Sequence, residues 1–127
     1  MSKVVLVCGS RDWPDADAIC RVLSSLLEFA DNPITKVITG GARGADASAA
    51  YWAIQQEVEL HVERADWSRG RQAGPERNNR MLDMAPDMVV AFLMGQSKGT
   101  KHTVRGAMDR GIPTIVHWIP KPDRKTI

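Results

Sequence analysis

The stretch Val37-Ile38-Thr39-Gly40-Gly41-Ala42-Arg43-Gly44-Ala45-Asp46 limits the folds open to this chain more than any other. It reads as a short apolar strand from Lys36 to Thr39, a glycine-rich turn, and the start of an alanine-rich helix running from Ala45 to Ala53. The β-branched pair Val37 and Ile38 suits a strand buried on both faces. Gly40, Gly41 and Gly44 allow positive φ and close approach of another group to the backbone. A helix that begins straight after such a turn presents unbonded N–H groups and a partial positive charge. That arrangement holds phosphate or another anion, and Arg43 adds a full charge beside it. The same residues also serve a tight strand-to-helix turn with nothing bound in it.

The rest of the chain repeats this alternation. Lys3 to Cys8 is a Val-rich run that reads as a central strand, followed by the loop Gly9-Ser10-Arg11-Asp12-Trp13. Pro14 suits the first turn of a helix, with Asp12 as its cap. Ile19, Val22, Leu23, Leu26, Leu27 and Ala30 then recur at helical spacing, and Asp31-Asn32-Pro33 ends the run. Ala45, Ala49, Trp52 and Ala53 mark one side of the second helix. Val58 to Glu63 alternates with period two, as an edge strand does. A polar loop from Asp66 to Gly74 leads to a third helix from Pro75, which Pro86-Asp87 breaks. Met88 to Leu93 is the most apolar run, and the loop Gly95 to Thr100 leaves it. A fourth helix follows from Lys101 or His102 to Arg110, stopped by Gly111. Thr114 to Trp118 is the last strand. About five strands alternating with four helices imply an α/β fold, a doubly wound parallel sheet with helices on both faces. Right-handed crossovers constrain the winding. The expected order is 3-2-1-4-5, in one domain over residues 1–119 with a loose basic tail at 120–127.

Composition narrows the function. A chain of 127 residues with 43% apolar and 25% charged residues is an ordinary globular chain. Its net charge of +2, from 17 basic and 15 acidic residues, is too balanced for general nucleic-acid binding. Five arginines between Arg64 and Arg80, against Asp66 and Glu76, make a local cationic patch suited to a small anion. Cys8 and Cys20 have no metal or disulfide spacing, which suggests a reducing, cytoplasmic setting. No apolar run reaches membrane-spanning length, and no signal peptide is visible. The three histidines form no metal-spaced cluster with the cysteines. His61 and His117 read as structural, and His102, near the Gly95–Thr100 loop, either touches the ligand or lies on a solvated helix face.

In an open parallel sheet, ligands bind beyond the strand C-termini, where the winding direction reverses. Four stretches reach that rim: Gly9-Ser10-Arg11-Asp12, Gly40 to Asp46, Asp66 to Arg80, and Gly95 to Lys101. Backbone N–H groups from Gly41 through Ala42 and Arg43 to Gly44, and at Gly99 and Thr100, are candidate phosphate donors. Ser97 belongs to the same loop. Thr100 either caps the fourth helix or donates its hydroxyl to the anion. Arg43, Arg77 and Lys98 supply charge, the arginines in two-pronged fashion. Asn78 stands beside Arg77. Asp46 either accepts from a ribose hydroxyl or satisfies first-turn N–H groups. Trp67 either stacks on a base or plugs the loop. Cys8 reads as a small buried apolar residue rather than a nucleophile. No cofactor or metal is required.

The ordered set Gly40-Gly41-Ala42-Arg43-Gly44-Ala45-Asp46, Ala65-Asp66-Trp67, Gly74 with Arg77-Asn78 and Met81, Ala91-Phe92 and Gly99-Thr100 resembles the SLOG superfamily. This groups the LOG (Lonely Guy) phosphoribohydrolases with the DNA-processing protein DprA/Smf. Within it, the chain looks like the small YspA-like branch, often found in phages and bacteria. The resemblance runs from Val4 to about Val116. It implies a Rossmann-like fold, a nucleotide or nucleotide-derived ligand, and a homo-oligomer. LOG enzymes cleave a nucleoside monophosphate at its N-glycosidic bond. They use an arginine on a helix resembling Arg77 to Met81 and a glutamate after a Gly-Gly-x-Gly-Thr motif. Here Gln96-Ser97-Lys98-Gly99-Thr100 lacks the paired glycines, and Thr103 stands in the glutamate's place, so the nearest charge for an oxocarbenium-like transition state is missing. The expectation is a nucleotide binder acting as sensor, carrier or sequestering protein. The alternatives are a nucleotide N-glycosidase, with Asp46 or Asp12 as substitute carboxylate, and DprA-like binding of single-stranded DNA.

Overall fold

The computed structural model describes residues 3–29 and 33–122. Five strands form one parallel sheet: β1 (Lys3–Gly9), β2 (Ile34–Thr39), β3 (Glu59–Val62), β4 (Met88–Met94) and β5 (Thr114–Ile119). Their order is β3-β2-β1-β4-β5, as the alternation of elements implies. Four α-helices connect them: α1 (Ala16–Phe29), α2 (Ala45–Gln55), α3 (Ala73–Asp83) and α4 (Lys98–Asp109), with a short 3-10 turn at Trp67–Arg69. This is the Rossmann-like, doubly wound arrangement.

Each central strand divides its side chains between two cores. Val5 and Val7 of β1, with Val90 and Phe92 of β4, pack under α1 and α2 with Ile19, Leu23, Ala49 and Trp52. Leu6 and Cys8, with Val89 and Ala91, pack under α3 and α4 with Met81, Leu82 and Ala107. Burial on both faces is why these runs are continuously apolar instead of alternating. At the sheet's edge β5 keeps Ile115, Val116 and Trp118 exposed.

The helix termini depart from the sequence expectations at several points. The cap of α1 is Asp15, whose carboxylate accepts from the Ala18 N–H at 3.0 Å. Asp12 instead pairs with Arg43, and Pro14 lies just before the helix. Helix α3 begins at Ala73, two residues before Pro75. Proline is tolerated there because the first-turn N–H groups have no partner within the helix. Helix α4 begins at Lys98, so Gly99 and Thr100 lie inside its first turn and Ser97 occupies the cap position. Its end matches expectation. Gly111 has φ of 70°, and Gly111 and Ile112 donate to Met108 and Ala107, a Schellman closure. Ala30 and the stop at residues 31–32 lie outside the described residues. So do residues 123–127 of the expected tail, while Lys121 packs over Gly95.

Candidate functional site

The C-terminal ends of the strands open into two adjoining chambers. The larger, about 540 Å³, lies over the β1–β4 junction and is lined by residues of all four rim stretches. From β1 come Cys8, Gly9 and Arg11, and from the β2–α2 turn Ala42 and Asp46. The 66–81 segment supplies Trp67, Arg71, Gly74, Arg77, Asn78 and Met81. The start of α4 gives Ser97, Lys98, Gly99, Thr100, His102 and Thr103. The smaller chamber, about 400 Å³, lies at the ends of β2 and β3, against Gly40, Gly41, Ala42, Arg43 and Arg64. Arg11, Ala42, Trp67 and Arg77 line both.

A polar network forms the floor of the larger chamber. The Arg77 guanidinium donates to the Gly40 carbonyl and, at 2.9 Å, to Asn78 Oδ1. Asn78, only 4% exposed, turns its amide toward the Gly99 carbonyl at 3.4 Å and His102 Nδ1 at 3.3 Å. The Thr103 hydroxyl donates to the same Gly99 carbonyl. Asn78 thus ties the third helix to the first turn of the fourth, and it orients Arg77 across the sheet toward the β2 turn. Burial lowers the Arg77 pKa, although the nearby Asp46 acts in the opposite direction.

Asp46 is 6% exposed, and its carboxylate accepts from the Ala42 N–H at 3.2 Å. Burial pushes its pKa up to about 6, against the lowering effect of the Ala42 N–H, Arg77, the Gly40 N–H and Arg11. Among the described residues lining the larger chamber, it is the one carboxylate. The carboxylate therefore occupies the turn where the sequence places an anion, and takes up the Ala42 donor.

The glycines of the β2–α2 turn face protein atoms. A Cβ at Gly40 would meet the Arg77 guanidinium, and one at Gly44 would strike the backbone of Ser10 and Arg11. The Ala45 N–H donates to the Ser10 carbonyl at 3.3 Å, docking the start of α2 onto the β1 loop. The start of α4 differs. Nothing lies within 4 Å of a Cβ built on Gly99. The first ladder bond there runs from the Lys101 N–H to the Ser97 carbonyl, so the amides of Lys98, Gly99 and Thr100 precede the ladder. Ser97 provides no side-chain cap for them. Thr100 is not the cap either, since its hydroxyl meets that of Ser97 at 3.0 Å.

Of the residues singled out from sequence, Ser10, Asp12 and Gly44 line neither chamber. Ser10 is 5% exposed and ties β1 to β4, its hydroxyl accepting from the Met94 N–H at 2.9 Å. Trp67 is 54% exposed, with the Arg11 guanidinium 5.6 Å from its ring centre and Gly74 against its edge. His102, read as either a ligand contact or part of a solvated face, lines the larger chamber because it lies one turn beyond Lys98 on the inner side of α4. Thr103, which the resemblance sets in the glutamate's place, lies one turn beyond Gly99 and lines the same chamber. Arg64 and Arg71 carried no local signal beyond the cationic patch. Cys8 is buried in the floor, and burial raises its thiol pKa, consistent with an apolar role. His61 pairs with Glu63 at 3.0 Å, and His117 stacks on Phe92 at 5.2 Å.

The family model described as YspA, cpYpsA-related SLOG family matches residues 3–70. The Gene 61 protein of Mycobacterium phage D29 is 40% identical over 117 residues, covering 87% of this chain and 93% of that protein. Among solved structures, TM1055 superposes with a TM-score of 0.63 at 22% identity, over 90% of this chain and 72% of that one. DNA processing protein A (DprA) from Streptococcus pneumoniae gives 0.57 at 15% identity, over 90% of this chain. The chain spans 58% of that DprA structure. At these identities the two structures are alike in fold alone.

Proposed function

This chain belongs to the YspA, cpYpsA-related SLOG family, and from that premise we propose that it binds a nucleotide or nucleotide-derived small molecule at the rim of its sheet. The phosphate goes to the first turn of α4, where the amides of Lys98, Gly99 and Thr100 precede the ladder and Lys98, which lines the chamber, supplies a charge. The nucleoside lies across the larger chamber toward Arg77 and Trp67. The observation that carries this reading is the uncapped turn of α4 opening onto the floor made by half-buried Arg77 and buried Asn78. Donors fixed in this way need little reorganisation when an anion arrives. The chamber volume of about 540 Å³ falls in the usual range for small-molecule sites.

A second reading is favoured by Asp46. Its pKa of about 6 would let it hold or give up a proton near neutrality, inside the chamber and close to Arg77. Asp12 lacks that position, being exposed and paired with Arg43. N-glycoside hydrolysis of a bound nucleotide, with Asp46 in place of the carboxylate that Thr103 does not supply, is therefore the alternative.

One experiment serves both readings. Nucleoside 5′-monophosphates are titrated calorimetrically, and the mixtures are then chromatographed for free base. Binding that Lys98→Ala weakens, with no base released, is the expected result. Base release abolished by Asp46→Asn would move the assignment to the hydrolase. Absence of heat and of base across the four common bases would overturn both.

A further inference from the structure

The smaller chamber is not explained by a mononucleotide held at α4. It lies off the β1–β4 crevice, beyond β2 and β3, and the parallel pairing of Thr39 with Val62 sets its two walls side by side. Four arginines line it: Arg11, Arg43, Arg64 and Arg77. Arg43 alone among them forms an ion pair within the described residues, and its partner Asp12 is as exposed as it is. Such a pair contributes little. Arg64 reaches only the Gly41 carbonyl, at 3.5 Å, and Arg77 donates to two neutral acceptors, the Gly40 carbonyl and Asn78 Oδ1. By contrast Arg69 and Arg80, on the same segment, are matched to Glu76 and Glu63 and stay outside both chambers. The fold pairs the arginines that point away and leaves those in the chamber under-compensated, four cations against the buried Asp46, which faces Arg77 and Arg11, and the exposed Asp12. Like charges gathered in a concave site repel one another, and a bound anion relieves the repulsion.

The two chambers share a partition, the Arg11 guanidinium stacked over the Trp67 ring. Both chambers are large enough for a substantial group, about 540 and 400 Å³. We infer that the smaller chamber binds a second anionic group of the same ligand, which is a two-part molecule of the dinucleotide type with its 5′-phosphate at α4 and its internucleotide phosphate carried past Trp67. This rests on the nucleotide reading above and specifies its ligand class. Confinement of the cations to a chamber, in a chain of net charge +2, favours a small molecule over a polymer.

Calorimetry of the full chain with nucleoside 5′-monophosphates, and with the corresponding 5′-phosphorylated, 3′–5′-linked dinucleotides, tests it. The dinucleotide with the preferred base is expected to bind about tenfold tighter or more than its monophosphate, because the second contact becomes intramolecular. Arg64→Gln, at an exposed side chain, is expected to collapse that margin, whereas Lys98→Ala weakens both classes together. Equal affinities, or a margin that survives Arg64→Gln, would overturn the second-chamber inference and leave the nucleotide reading standing. Failure of both classes to bind would remove both. Retention of long single-stranded DNA without dinucleotide binding would also overturn the inference.

Discussion

At the scale of single residues, Asp46 and Arg77 set the character of the site. A carboxylate 6% exposed is costly in its charged form, and the Ala42 N–H and Arg77 offset only part of that cost. The consequence is a defined pH dependence. With its pKa raised to about 6 in the fold, Asp46 stabilises the native state fully below the ordinary carboxylate range. That contribution is lost as pH rises through about 6. The change corresponds to about 3 kcal/mol. Asp46→Asn keeps an oxygen acceptor for the Ala42 N–H and removes the charge. Urea unfolding of both proteins between pH 4 and 7 is expected to show the variant gaining on the wild type by about 2–3 kcal/mol over that range. A difference independent of pH would contradict this account of Asp46. The sequence marked Asp46 as a ribose acceptor or a first-turn partner. It could not show that the carboxylate reaches back to Ala42, because that depends on how tightly the turn closes.

At the scale of elements, both glycine-bearing turns read as phosphate donors in sequence, the β2–α2 turn foremost, and they differ in structure. In the β2–α2 turn the glycines are crowded by the protein's own atoms, although the smaller chamber opens beside them. Gly44, at φ of 77°, has the Arg11 carbonyl 2.3 Å from where a Cβ would stand. The α4 turn is open at Gly99. Gly44→Ala is therefore expected to destabilise the fold by about 2–4 kcal/mol, from left-handed strain together with the clash. Gly99→Ala is expected to leave stability unchanged or raise it by up to about 1 kcal/mol through helix propensity, while weakening nucleotide binding. Thermal unfolding with a parallel binding titration checks both; equal losses of stability would erase the distinction between the turns. The strands were legible because burial on both faces demands long apolar runs. The helix starts were less so. Pro75 and Gly99 resemble boundaries in sequence, yet both fit inside a first turn, where unbonded N–H groups tolerate proline and glycine alike.

At the scale of the whole molecule, sheet order and the converging rim followed from alternation and crossover handedness, and the structure has the order β3-β2-β1-β4-β5. The division of the rim into two chambers did not follow. Arg64 and Gly41 are 23 positions apart, and they meet only because β2 and β3 pair in the register that aligns Thr39 with Val62. The Arg11–Trp67 partition likewise joins loops from opposite ends of the winding. Such contacts depend on register and loop path, which periodicity does not encode. The same convergence makes the start of α4 the most direct place to question the account. Backbone amide resonances of the protein, followed during titration with nucleoside 5′-monophosphates, are expected to show saturable shifts at Lys98, Gly99 and Thr100, with smaller changes at Asn78. Shifts confined to the β2–α2 turn, or none at any of these amides, would contradict it.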